Sequence, residues 1–181
     1  MMTRRLGVIL AVALGLGACE PSGGKAPPQP ASLEDGDRCF AARDWTCAAA
    51  NYGGYLRTYP EDPTVNARLA LARTRSGKHQ EALPAYRKAE ELGVVTYDLY
   101  AGYATSLEAT GDLEGAIRAN RKSLEIVPNL VDVRGALAAQ LVRSGQRDEA
   151  IALLEEFDAY LKDNGRPPYF TAQIASIREQ G

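Results

Sequence analysis

The chain has 181 residues, 45% of them apolar and 24% charged, with a formal net charge of −2. That composition supplies one domain with a core of its own, and it excludes the clustered basic surface that nucleic-acid binding requires. A single histidine and three cysteines, of which only two remain if Cys19 is lipidated, leave too few ligands for a His/Cys metal cluster.

The chain opens with Arg4 and Arg5, an apolar run from Leu6 to Leu16, and then Leu16-Gly17-Ala18-Cys19. Eleven apolar residues are too few to span a bilayer, so this segment reads as a secretory leader. Small residues directly before a cysteine resemble the lipobox of bacterial lipoproteins. That resemblance implies removal of residues 1–18 and lipidation of Cys19, with acyl chains that each add roughly 0.8 kcal/mol per buried methylene. Glu20, where an aspartate would retain such a protein at the inner membrane, favours the outer membrane. Residues 19–31, rich in proline and glycine, carry no apolar periodicity and read as a disordered tether. At up to ~3.1 Å per residue it would hold the folded part well clear of the lipid. With the two leader arginines set aside, 19 of the 21 basic residues remain against 23 acidic ones.

From residue 32 onward the chain repeats itself. Gly77, Gly111 and Gly145 are 34 residues apart, and each is followed five residues later by alanine, Ala82, Ala116 and Ala150. A fixed period of this length marks one supersecondary unit stacked on copies of itself, because a single unit cannot bury its own apolar face. The glycine allows a turn between two helices, and the alanine lets the second helix approach the first closely.

This pattern resembles the tetratricopeptide repeat. The resemblance implies an all-α, right-handed superhelical stack of antiparallel helix hairpins, with repeats at 63–96, 97–130 and 131–164. Leu69, Ala70, Ala82, Tyr86 and Ala89 fit the small–aromatic–small pattern of the first of these, opened by Asp62 as a cap and Pro63. Tyr100, Tyr103, Ala104, Leu107, Ile117 and Leu124 serve the next, with Asp112 as a cap. Leu137, Ala138, Leu141, Ile151, Leu154 and Phe157 serve the third, whose last helix lacks a terminal proline and runs on toward Asn164.

The same register exposes a degenerate copy at 32–62, with Gly36, Ala48, Tyr52 and Pro60 in place and Ser32 as a cap. Arg43 stands where the turn glycine belongs. Pro167-Pro168 restarts a helix with Phe170, Ile174 and Ile177 on one face, a cap over residues 165–181. The folded region, 32–181, is thus about four repeats plus a capping helix, nine helices in all. Pro84 lies near enough the start of its helix to remove only one hydrogen bond, with room for a kink. Asn120 and Arg73 stand where large apolar residues are usual, so either the local packing differs there or these side chains lie at the surface.

Cys39 and Cys47 lie four residues on either side of Arg43, so antiparallel helices bring them level. Export to an oxidising compartment then predicts a disulfide, a spacing that also resembles the hairpin disulfides of Sel1-like repeat proteins.

No phosphate loop, nucleophile elbow or zinc-protease motif is present, and His79 reads as a solvated residue at a helix start, so no catalytic role and no cofactor are expected. In the resembled family, the first helices of the hairpins line a concave groove. Here those positions are Thr64, Arg68, Leu71 and Arg75, then Asp98, Ala101, Thr105 and Glu108, then Asp132, Gly135, Ala139 and Arg143. Small residues there leave room for a ligand backbone, and the charges can pair with it. Leu71, Thr105 and Ala139 replace the asparagine with which chaperone-binding members clamp a terminal carboxylate, which argues against that ligand. The expectation is a lipid-anchored interaction module in a bacterial envelope, facing the periplasm, that holds a protein or peptide partner. The alternatives are a binder of cell-wall glycan or short peptides, favoured by exposed aromatics in the groove, and thirdly an enzyme.

Overall fold

The computed structural model describes residues 32–179, and Cys19, the leader and the tether lie outside them. Among the described residues there are nine α-helices and no strand. They are α1 (Leu33–Ala41), α2 (Trp45–Tyr55), α3 (Pro63–Arg75), α4 (His79–Glu91), α5 (Tyr97–Ala109), α6 (Leu113–Ile126), α7 (Val131–Arg143), α8 (Arg147–Asp163) and α9 (Thr171–Glu179). Consecutive pairs form four antiparallel hairpins stacked side by side, and α9 closes the C-terminal end.

Local chemistry sets the helix ends. The side chains of Ser32, Asp44, Asp62 and Asp112 each accept the backbone N–H three residues on, satisfying a donor that the first helical turn leaves orphaned. Each hairpin turn closes with the same long-range bond. The N–H of Lys78 donates to the carbonyl of Arg73, Asp112 to Leu107 and Gln146 to Leu141, all at 2.8 Å. This closure needs a left-handed residue just before the donor. Gly77, Gly111 and Gly145 supply it at φ 76°, 90° and 83°. In the first hairpin Asp44 N–H donates to Cys39 at 2.9 Å in the same way, and Arg43 takes φ 58° without being glycine. The geometry of the stack therefore imposes on Arg43 a conformation that its Cβ disfavours.

Packing follows the 34-residue period. Ala48, Ala82, Ala116 and Ala150 are fully buried on the second helices, and Gly36, Ala70, Ala104 and Ala138 are buried on the first. Around these small contacts the core fills with Tyr52 and Tyr86 toward the N-terminus, and with Leu137, Leu141, Leu154 and Phe157 toward the C-terminus. Phe170, Ile174 and Ile177 of α9 complete that second cluster.

The structure decides several positions that the repeat pattern left open. Pro84 leaves α4 continuous: it lies on the exposed face, where the Gln80 carbonyl that loses its helical donor is open to water. Asn120 is buried, not superficial: its amide donates to Gln140 Oε1 at 2.9 Å, and the Gln140 amide donates to Glu108 Oε2 at 2.7 Å. Arg73 is half-buried and donates to the Glu81 carbonyl at 2.9 Å. The first turn of α9 is held by a residue remote in sequence, since the Asp158 carboxylate accepts the N–H groups of Tyr169 and Phe170 at 2.7 and 2.9 Å.

Candidate binding trough

One face of the first helices forms an open trough of about 890 Å³. It crosses all four hairpins diagonally. Phe40, Arg43 and Trp45 line it at the α1–α2 turn, Leu71, Thr74 and Arg75 at the end of α3, and Tyr97 to Thr105 along α5. Asn129 to Val133 line it at the start of α7. Gly102 and Ala101 keep the floor low, and Leu71 and Val133 make it apolar.

The sequence-derived groove residues divide into two groups. Leu71, Arg75, Asp98, Ala101, Thr105 and Asp132 line the trough. Arg68, Glu108 and Arg143 are instead committed to holding the stack together. Arg68 donates to Asp37 Oδ1 at 2.5 Å, and the Tyr52 hydroxyl donates to the same oxygen at 2.7 Å. These two donors, the Tyr52 hydroxyl foremost, hold the Asp37 carboxyl below its ordinary pKa. Arg143 donates to Glu108, which also accepts from Gln140, so α5 and α7 are braced across the repeat boundary. Thr64 and Ala139 are exposed outside the trough, and Gly135 lies under the capping helix, where an added Cβ would stand 3.5 Å from Phe170. The groove reading from sequence was therefore too wide: side chains at one register position can serve either the ligand face or the next repeat.

Beneath the floor runs a buried polar cluster that sequence reasoning missed. Thr74 Oγ1 lies 2.9 Å from the Tyr86 hydroxyl and 2.7 Å from Ser106 Oγ, and it donates to the Ala70 carbonyl. His79 is half-buried, with Nδ1 3.4 Å from Ser106 Oγ, which corrects its reading as a solvated residue. Burial pushes the Tyr86 hydroxyl well above its ordinary pKa, so it is a neutral hydrogen-bonding partner here. Polar Thr74 and Ser106, 32 residues apart and set among apolar neighbours on successive first helices, hint at such a cluster, but no local pattern says that they meet.

At the trough's first end, Phe40 and Trp45 pack edge to face with ring centroids 5.2 Å apart. Cys39 and Cys47 are joined directly behind them, with Cα atoms 5.7 Å apart. The disulfide thus ties together the two helix ends that present Phe40, Arg43 and Trp45. On the opposite face of α5 a smaller hollow of about 210 Å³ lies between α4 and α6, edged by Arg118 and by Lys122, which is bonded to Glu90 at 2.6 Å. No group of His, Cys, Asp and Glu suited to a metal ion occurs among the described residues. No described helix is long and apolar enough to cross a membrane.

The architecture is an all-α solenoid of helical hairpins with an open trough on the first-helix face. Its hairpins share the fold of tetratricopeptide repeats. A curated relative, the small glutamine-rich tetratricopeptide repeat-containing protein 2 of Mycosarcoma maydis, is 24% identical over 105 residues. That alignment covers 58% of this chain and 30% of the relative, so this chain spans under a third of its length. Crystal structures of MamA share the fold. One matches at TM-score 0.62 and 19% identity, covering 68% of this chain and 67% of the other. The MamA fragment from Desulfovibrio magneticus RS-1 matches at TM-score 0.61 and 16% identity, covering 67% and 68%. No protein-family model matches the chain.

Proposed function

We propose that this chain is a protein-interaction module anchored by a lipid on Cys19 to a bacterial outer membrane, facing the periplasm and holding a partner segment in its trough. The observation that carries the groove reading is the open trough itself, apolar along its floor and rimmed by charges that make no hydrogen bond or ion pair among the described residues. Repeat stacks use their concave surface in this way, since it offers a long and shape-specific contact without a deep pocket. The anchor reading rests on the ordered basic, apolar and Leu16-Gly17-Ala18-Cys19 segments. Such a protein assembles or positions other envelope proteins and carries out no reaction of its own.

Two measurements test the two halves separately. A photocrosslinking residue at Thr105 in the trough should form adducts in the native host, and the same residue at Arg118 on the opposite face should not. The reverse result would move function to the convex face. Cys19→Ser should leave the protein unprocessed or release it from membranes. If that variant matures normally and sediments with lipid, the anchor reading fails.

The rings of Phe40, Trp45 and Tyr97 in the trough support a second reading, a glycan ligand, because sugars stack on aromatic faces. Trp45 is the sole tryptophan, so its fluorescence reports on the trough directly. Saturable quenching by soluble cell-wall glycan fragments would favour this second reading.

A further inference from the structure

Four charged side chains on the trough make no hydrogen bond or ion pair within the described residues. They are Arg43 and Arg75 on the first two hairpins, and Asp98 and Asp132 on the last two. All four are exposed. Their neighbours Arg68, Glu108 and Arg143 on the same set of helices are already paired. The free charges are sorted by position. Arg75 is the last residue of α3 and Arg43 lies just past α1, whereas Asp98 and Asp132 are the second residues of α5 and α7. Because α3 and α5 pack in the same sense with Thr74 beside Ser106, the level of Arg75 and that of Asp98 differ by about 14 Å along the helix axes. Phe40 and Trp45 flank Arg43 at the basic end, and Leu71, Ala101 and Gly102, none of them charged, lie between the two ends.

Taking the trough as the binding groove, we infer that its occupant is an extended segment of a partner protein, about six to eight residues long, with opposite charge at its two ends. The acidic end lies over Arg43 and Arg75, and the basic end over Asp98 and Asp132. An apolar side chain or a proline between them rests on Leu71, Ala101 and Gly102, with the rings of Phe40 and Trp45 beside it at the basic end. A uniformly acidic or uniformly basic segment meets repulsion at one end, and a neutral one leaves both charge pairs unused. Polarity of the rim thus selects both the class of segment and its orientation.

The test uses the full chain and three fluorescein-labelled nonapeptides that share a Leu-Pro-Leu centre. One carries three aspartates on one side and three lysines on the other, one carries six aspartates, and one carries six lysines. Anisotropy at low salt should show the two-signed peptide binding at least tenfold more tightly than either uniform one. Arg43→Glu with Arg75→Glu should transfer the preference to the lysine peptide, and Asp98→Lys with Asp132→Lys to the aspartate peptide. Equal binding of a uniform peptide, or preferences that the reversals do not move, overturns the proposal. So does a pair of reversals that lowers the melting temperature and leaves affinities alone, because the charges would then serve only their helix ends. A tenfold gain in affinity on deleting residues 19–31 also overturns it, assigning the trough to the chain's own tether. Loss of the proposal leaves the groove reading standing if the crosslinker at Thr105 still captures its partner, and adducts only at Arg118 sink both.

Discussion

Gly102 and the Tyr86 hydroxyl compete for one space under the trough floor. A Cβ on residue 102 would stand well inside van der Waals contact of that oxygen, 2.8 Å from Leu71 Cδ2 and 3.2 Å from Tyr86 Cζ. The missing side chain lets Tyr86 reach Thr74, and through it Ser106 on the next hairpin. One glycine thus shapes the floor of the trough and admits the polar contact that joins two repeats.

Gly102→Ala should therefore destabilise the fold by about 1–3 kcal/mol, the usual range for overpacking a rigid interior. Tyr86→Phe removes the clashing oxygen, so the double variant should lose less than the sum of the singles. Denaturant unfolding of the four proteins in this cycle measures the coupling.

Arg43 holds a left-handed conformation at φ 58° where the other three hairpin turns have glycine. Arg43→Gly should raise stability by about 1 kcal/mol, since the αL penalty of a side-chain-bearing residue is relieved. For a domain of this size that is a rise in melting temperature of roughly 2–4 °C. An unchanged or lower Tm would show that the Arg43 side chain stabilises the turn by other means.

The Cys39–Cys47 bond closes a short loop, with a sequence separation of 8. Its removal by paired Cys→Ser substitution should cost about 2–3 kcal/mol through the entropy regained by the unfolded chain. Trp45 lies two residues from Cys47, so its fluorescence should report loosening of the trough's first end at denaturant concentrations where the later repeats are still helical.

Asn120 and Gln140 are a buried pair at the boundary of the third and fourth hairpins. Asn120→Ala leaves the Gln140 carbonyl without its donor and should cost about 1–3 kcal/mol. Asn120→Leu with Gln140→Leu removes both needs together and should recover much of that loss. If the single and double variants unfold at the same denaturant concentration, the pair is not coupled.

Asp37 supplies the pH dependence. Its folded pKa lies below the ordinary 3.8 because the Tyr52 hydroxyl and Arg68 favour the carboxylate. The stability it adds is full above 3.8 and is lost as pH falls below that value through the depressed folded pKa. Asp37→Asn should therefore be less stable than the parent at neutral pH, with the gap narrowing as pH drops below 4. A gap that stays constant down to pH 2 would refute the assignment.

The 34-residue period was enough to specify the hairpins, because it is a local signal. Glycine at a left-handed turn, alanine at a close helix crossing and aspartate at a helix start each act within a few residues. Gly77, Gly111 and Gly145 with Ala82, Ala116 and Ala150 therefore announce the all-α stack directly. Arg43 shows that the stack can enforce the same turn without glycine.

The trough was only half legible. Its first-helix positions followed from register, yet register cannot say whether Arg68 faces a ligand or Asp37, a partner 31 residues earlier. The same holds for Glu108, claimed by Arg143 and Gln140 from the next hairpin, and for Asp158, which caps a helix more than a turn's reach away in sequence. The sequence by itself determined the repeats, because backbone turn preferences and small-residue packing are encoded locally. Only the tertiary structure decided which charges stay free for a partner, because an ion pair between repeats depends on a superhelical rotation that no single repeat contains.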